Sequence, residues 1–163
     1  MQSLILPFFD YCDTVYGTNL NRRNAVLIQK VQNSCIRFAL NLNRVSHILP
    51  SLNDLGIINM ARRRKLHLCN IVHKVLATGV PKYLDDKLKY RNTVHTYSTR
   101  NNYKLDQNQH NISLYASSFS HSAVKFWNEL PVKITSEASY NCFRREVKSY
   151  YLSQQQQTFS THD

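Results

Sequence analysis

Apolar residues recur at helical spacing in four stretches of the chain. Asn21 opens a helix reaching about Leu42, on which Leu27, Val31, Cys35, Phe38 and Leu42 lie three or four residues apart and Ile28 widens the stripe. Arg22, Lys30 and Arg37 fall off that stripe, so the spacing predicts one core-facing side and one basic side. Asn59 caps a second helix from Met60 to about Thr78, with Leu68, Val72, Val75 and Leu76 inward and Gly79 and Pro81 as its stop. A third runs from Ser118 or Ser120 through Ala123, Phe126 and Trp127 to Leu130, ended by Pro131. Ser139 caps the last, with Phe143, Val147, Tyr150 and Tyr151 facing in. Shorter helical pieces follow Pro50, ending near Gly56, and Pro81, from Lys82 to about Leu88.

The pattern weakens elsewhere. Tyr90 to Ser113 is polar and predicts an extended loop, with a strand pair near Ile112 to Tyr115. Gln2 to Phe9 is apolar without an entry turn and reads as a helix entered partway, in which Pro7 is expected to force a kink. From Ser153 onward the Gln154–Gln157 run predicts a disordered tail. The expected fold is mostly α: a helical bundle, then a loop with short strands, then two C-terminal helices. Its divisions are 1–89, a basic helical region; 90–117, the polar loop; 118–152, the C-terminal helical segment; and 153–163, the tail.

A length of 163 residues suits one domain, and 42% hydrophobic residues suffice for a core. With 3 Gly and 4 Pro, the chain is too poor in breakers for a turn-dense sandwich or a glycine-loop nucleotide binder. No apolar run approaches the roughly 18 residues of a membrane span, and the N-terminus lacks the pattern of a secretory leader. Cys12, Cys35, Cys69 and Cys142 are far apart, which argues against a zinc finger and against a secreted disulfide framework. Cys69 and His73 lie one helical turn apart but lack a second ligand pair, so a buried apolar face is expected and no metal. The thiols suit cytoplasm or nucleus, where the sequon Asn111-Ile112-Ser113 is silent.

Charge changes the picture most. The net charge is +11, and from Thr14 to Leu84 eleven basic residues meet one acid, Asp54. Solvated helices usually mix signs, so this half predicts a polyanionic partner. Arg62, Arg63, Arg64 and Lys65 crowd the first turns of the second helix, where the helix dipole disfavours cations and phosphate would compensate. The candidate nucleic-acid-binding residues are therefore Arg22, Arg23, Lys30, Arg37, Arg62, Arg63, Arg64 and Lys65.

Tyr83-Leu84-Asp85-Asp86 matches the Tyr-x-Asp-Asp signature in which paired carboxylates hold Mg²⁺ at a polymerase hairpin. Its flanks, Gly79-Val80-Pro81-Lys82 and Lys87-Leu88-Lys89-Tyr90-Arg91, are breaker and charged residues rather than buried strands, so a solvated acidic turn is expected and no catalytic residue is assigned.

From Ser3 to Leu152 the chain resembles the thumb and following region of non-LTR, LINE-type and jockey-like retrotransposon reverse transcriptases. The match is carried by Leu4-Ile5-Leu6-Pro7, Phe9-Asp10-Tyr11-Cys12 and Val15-Tyr16, then Ile28 to Asn33 with Ile36-Arg37-Phe38. It continues in Arg62 to Leu66, Lys74-Val75-Leu76 and Pro81-Lys82-Tyr83-Leu84. Its last pieces are Ser118-Phe119, Phe126 to Pro131 and Phe143-Arg144-Arg145. The resemblance implies that residues 1–89 are thumb-like, that fingers, palm and the Mg²⁺-binding motif would precede residue 1, and that this chain is a non-catalytic fragment. It implies backbone contacts to RNA, DNA or their hybrid, with no membrane, cofactor or small-molecule substrate. Trp127 to Pro131 as a stacking platform and Trp127 as core are the two readings of that segment, core being favoured. The alternative function is a helical protein–protein interaction module.

Overall fold

A computed structural model describes residues 5–94, 100–107, 109 and 111–160. Gln2 to Leu4 of the expected first helix, residues 95–99, 108 and 110 of the expected loop, and 161–163 of the expected tail lie outside the described residues. The fold is mostly α. In chain order the helices are α1 (Leu6–Asp10), α2 (Asp13–Tyr16), a 3-10 turn (Gly17–Asn19), α3 (Arg22–Ala39), α4 (Leu49–Asp54) and α5 (Met60–Thr78). They continue with α6 (Lys82–Asp85), α7 (Arg91–Val94), α8 (Ser113–Ala116), α9 (Phe119–Asn128), α10 (Val132–Thr135) and α11 (Tyr140–Ser160). Among the described residues no helix is long and apolar enough to cross a membrane.

Local signals set the helix ends. Asn21 Oδ1 accepts from the Asn24 N–H at 2.8 Å and Asn59 Oδ1 from the Arg62 N–H at 2.9 Å, each answering one orphan donor of a first turn. Gly79 ends α5 in the left-handed region at φ 66°, with its N–H on the Val75 carbonyl at 2.8 Å. Pro7 lies in the first turn of α1, where its missing N–H costs nothing and it does not break the described helix.

The chain forms two compact units, 1–64 with 148–163, and 65–147, whose boundaries fall inside α5 and α11. In the first unit Ile36, Ile48, Leu52 and Ile57 form a buried cluster. The stripe expected to face this core does not: Leu27 and Val31 are about half exposed and Phe38 is 89% exposed. Gln32 and Ile36 take the inward face instead. The reason is hydrogen bonding. The Met60 N–H donates to Gln29 Oε1 at 2.9 Å, and Gln29 Nε2 donates to Gln32 Oε1 at 2.7 Å. Gln32 Nε2 then donates to the Ile58 carbonyl at 3.0 Å. A buried amide whose bonds are made is no liability.

The tail expected to be disordered is helical to Ser160, and Gln155 within it is fully buried. Its Nε2 donates to Asn53 Oδ1 at 2.9 Å and to the Ile57 carbonyl at 3.2 Å. Those bonds, one to a side chain and one to the backbone, give Gln155 a fixed place that composition does not reveal.

In the second unit His73 stacks on Phe143 at 4.2 Å between ring centroids, and Trp127 stacks on Phe143 at 5.5 Å. Trp127 is buried, so it is a core residue and not a stacking platform. Cys69 and His73 are also buried, and His73 Nε2–H donates to the Glu137 carbonyl at 2.8 Å. Ile112 to Tyr115 is not a strand: the Ile112 carbonyl accepts from Tyr115 and Ala116 in the turn of α8. The extended pairing is elsewhere, an antiparallel bridge of Tyr90 with Leu105, which Asn128 locks by bonding both the Leu105 N–H and carbonyl at 2.9 and 3.0 Å.

Candidate nucleic-acid interface

The eight basic candidates meet different fates. Arg22, Arg23 and Lys30 are exposed on the N-terminal half of α3. Arg23 and Lys30 are two turns apart on nearly the same side, about 10.5 Å along the axis. Arg37 is half-buried, its Nη2 donating to the Ser46 carbonyl at 3.3 Å.

The Arg62–Lys65 run is not the open cationic face that its density predicts. Arg62 Nη2 donates to the Gln154 carbonyl at 3.2 Å. Arg63 makes a two-pronged ion pair with Asp10. Lys65 pairs with Glu129 at 3.2 Å and lies 4.6 Å over the Phe126 ring. Arg64 is 8% exposed. For Arg62, Arg63 and Lys65, two carboxylates, a carbonyl and an aromatic face therefore supply partners within the protein. Asp10 and Glu129 lie 53 and 64 residues from their partners, so nothing local marks them.

Accounting by charge leaves a clear excess. The first unit carries nine basic side chains, and its acids among the described residues are Asp10, Asp13 and Asp54. Asp10 is paired, Asp13 is buried, and Asp54 is the exposed one. Arg22, Arg23, Lys30, Arg44 and Lys148 are exposed.

Beside this surface is a cleft of about 380 Å³, lined on α3 by Arg22, Val26, Gln29 and Asn33. Ile48, Leu49 and Leu52 line it on the α4 side, and Asn59, Ala61 and Arg64 at the start of α5. Arg64 Nε and Nη2 are sealed from solvent with no hydrogen-bond partner. Gly17 makes room for that side chain: a Cβ there would lie 2.6 Å from Arg64 Cδ. The Gly17 φ of −66° is open to any residue, so the glycine serves close approach and not conformation.

Tyr83 to Asp86 occupies α6 and its C-terminal cap, with Tyr83 and Asp86 exposed. That is one helical turn, a different geometry from carboxylates at the tip of a strand hairpin. No family model, curated protein or solved structure matches this chain.

Proposed function

We propose that this chain is a non-catalytic, nucleic-acid-binding helical module, the thumb-like part of a retrotransposon reverse transcriptase, that holds a template–primer backbone on the N-terminal half of α3. The observation that carries the reading is the charge accounting of the first unit: five exposed cations against one exposed acid among the described residues. Arg22, Arg23 and Lys30 contact phosphates, which positions a duplex without reading its bases. Measuring duplex affinity against salt tests this. Each neutralised phosphate on duplex DNA adds a slope of about −0.9 in log K against log salt. Two or three contacts give a slope near −2 to −3, equal for unrelated sequences. A flat salt response rejects the proposal.

A second reading has its own support. Leu27, Val31 and Phe38 form an exposed apolar strip on α3, and such a strip suits a partner helix better than a phosphate backbone. Binding that strengthens or holds with salt, and fails with Phe38→Ser, selects it.

A further inference from the structure

We propose that the cleft between α3, α4 and the start of α5 is a receptor for a small amphiphilic oxyanion, a carboxylate or phosphate ester carrying an aliphatic body. This goes beyond the backbone contacts proposed for α3: the two share Arg22, while Arg64 belongs to the cleft alone.

The lining side chains are rich in hydrogen-bond donors. Three side-chain amides reach it, and each has its oxygen committed inside the protein. Gln29 Oε1 accepts from the Met60 N–H and Asn59 Oδ1 from the Arg62 N–H, both at 2.9 Å. A backbone N–H can only donate, so these two amide orientations are set by the chain and are not interchangeable. With Gln29 Oε1 occupied, its Nε2 must point to Asn33, whose Oδ1 accepts it at 2.9 Å. The donors that these lining residues carry are the Asn33 and Asn59 NH₂ groups and the Arg22 and Arg64 guanidiniums. Among the described residues no acid lines the cleft.

Arg64 is the anchor. It is more than nine-tenths buried, and two of its three guanidinium nitrogens are sealed without a hydrogen-bond partner. A desolvated guanidinium short of hydrogen bonds is costly to keep, and an oxyanion in the cleft it lines recovers part of that cost through its charge. Size and lining define the rest of the ligand. A volume of about 380 Å³ equals roughly a dozen waters at about 30 Å³ each, far more than a bare oxyanion fills. Val26, Ile48, Leu49 and Leu52 supply the apolar wall that an aliphatic body would cover.

The test uses the full chain and isothermal titration with hexanoate and hexyl phosphate as probes, and inorganic phosphate, 1-hexanol and hexylamine as controls. Saturable binding of at least one six-carbon anion is expected, and the tighter of the two identifies the head group. The alcohol, the amine and inorganic phosphate should each bind about tenfold or more weakly. Arg64→Met should fold, because a buried unpartnered cation gives way to an apolar chain of similar reach, and should weaken the anion about tenfold or more. If Arg64→Met does not fold, the exposed Arg22→Gln carries the test with a smaller loss of affinity. The inference is overturned if neither anion saturates, if hexanol binds as tightly, or if inorganic phosphate matches hexyl phosphate. It is overturned equally if the folded Arg variants bind unchanged. Duplex binding by Arg23 and Lys30 enters none of these outcomes, so the two proposals fail separately.

Discussion

The backbone N–H of Asn59 donates to Oε1 of Gln155, 96 residues further along the chain, at 2.9 Å. Gln155 Nε2 turns back to the Ile57 carbonyl and to Asn53, so one buried amide closes the α4–α5 connection. Asn59 is also the N-cap of α5, and its side chain and backbone are thus both engaged. Replacing Gln155 by Ala leaves a buried N–H and carbonyl without partners and should cost about 1–3 kcal/mol in urea unfolding. Gln156→Ala, at an exposed neighbour, should stay within about 0.5 kcal/mol. Equal effects at the two positions would show that the end of α11 is not docked.

Trp127 is the single tryptophan, buried against Phe143 and tilted toward His73 at 6.3 Å. Its emission should be blue-shifted and resistant to acrylamide in the native protein. Trp127→Ala should destabilise by about 3–5 kcal/mol, because the space left between rigid helices cannot fully collapse. An unfolding midpoint that does not move would place the indole outside the core.

Two tyrosines should weaken the protein at high pH. Burial, and after it the nearby Asp13 charge, raises the Tyr16 phenol above its ordinary value of 10.0, and burial alone raises Tyr90. Above pH 10 the unfolded chain releases these protons while the folded one keeps them. Their stabilisation is therefore full below pH 10 and is lost as pH climbs toward the raised folded values. Tyr90→Phe should flatten the alkaline limb of stability against pH with little change at neutrality. Tyr16→Phe should do so too, at the neutral-pH cost of its hydrogen bond to the Phe9 carbonyl. An unaltered alkaline limb in the double variant would assign that limb to other groups.

The Asp10–Arg63 pair is two-pronged and about three-quarters buried, with 27% and 23% of the side chains exposed. Asp10→Asn should cost about 1–2 kcal/mol, and Arg63→Lys nearly as much, because an ammonium cannot fill both prongs. If Arg63→Lys is neutral, the bond acts as a point charge and its fork geometry adds nothing.

What the sequence shows of this fold is what local chemistry decides. Asn59 and Gly79 mark the ends of α5 because a cap and a left-handed glycine need only their own neighbours. The face of α3 is a different matter. Leu27, Val31 and Phe38 carry the apolar periodicity, yet Gln32 is buried, since its amide meets the Ile58 carbonyl 26 residues away. Arg64 likewise reads as a surface cation from its neighbours Arg63 and Lys65, and only the space left by Gly17 reveals its burial. The candidate interface was legible as an excess of charge. Which cations remained free was not, because Asp10 and Glu129 neutralise theirs across 53 and 64 residues.

That distinction decides how the nucleic-acid reading is tested. Arg63→Gln breaks an ion pair and Arg64→Gln disturbs a buried stem, so either would confound lost charge with lost structure. Arg23 and Lys30 avoid this, being exposed on one side of α3 with the N-terminal cap at Asn21 untouched. The double variant Arg23→Gln, Lys30→Gln should keep its stability within about 0.5 kcal/mol. Duplex affinity should fall to a similar extent for unrelated sequences, since phosphate contacts carry no base information. The salt slope should shrink by about 1 for each contact removed, hence by about 2 if both side chains reach phosphate. Phe38→Ser, on the exposed apolar strip, should leave that slope where it was. If the double variant binds with the native slope while Phe38→Ser abolishes binding, α3 meets its partner through its apolar strip and the electrostatic reading is wrong.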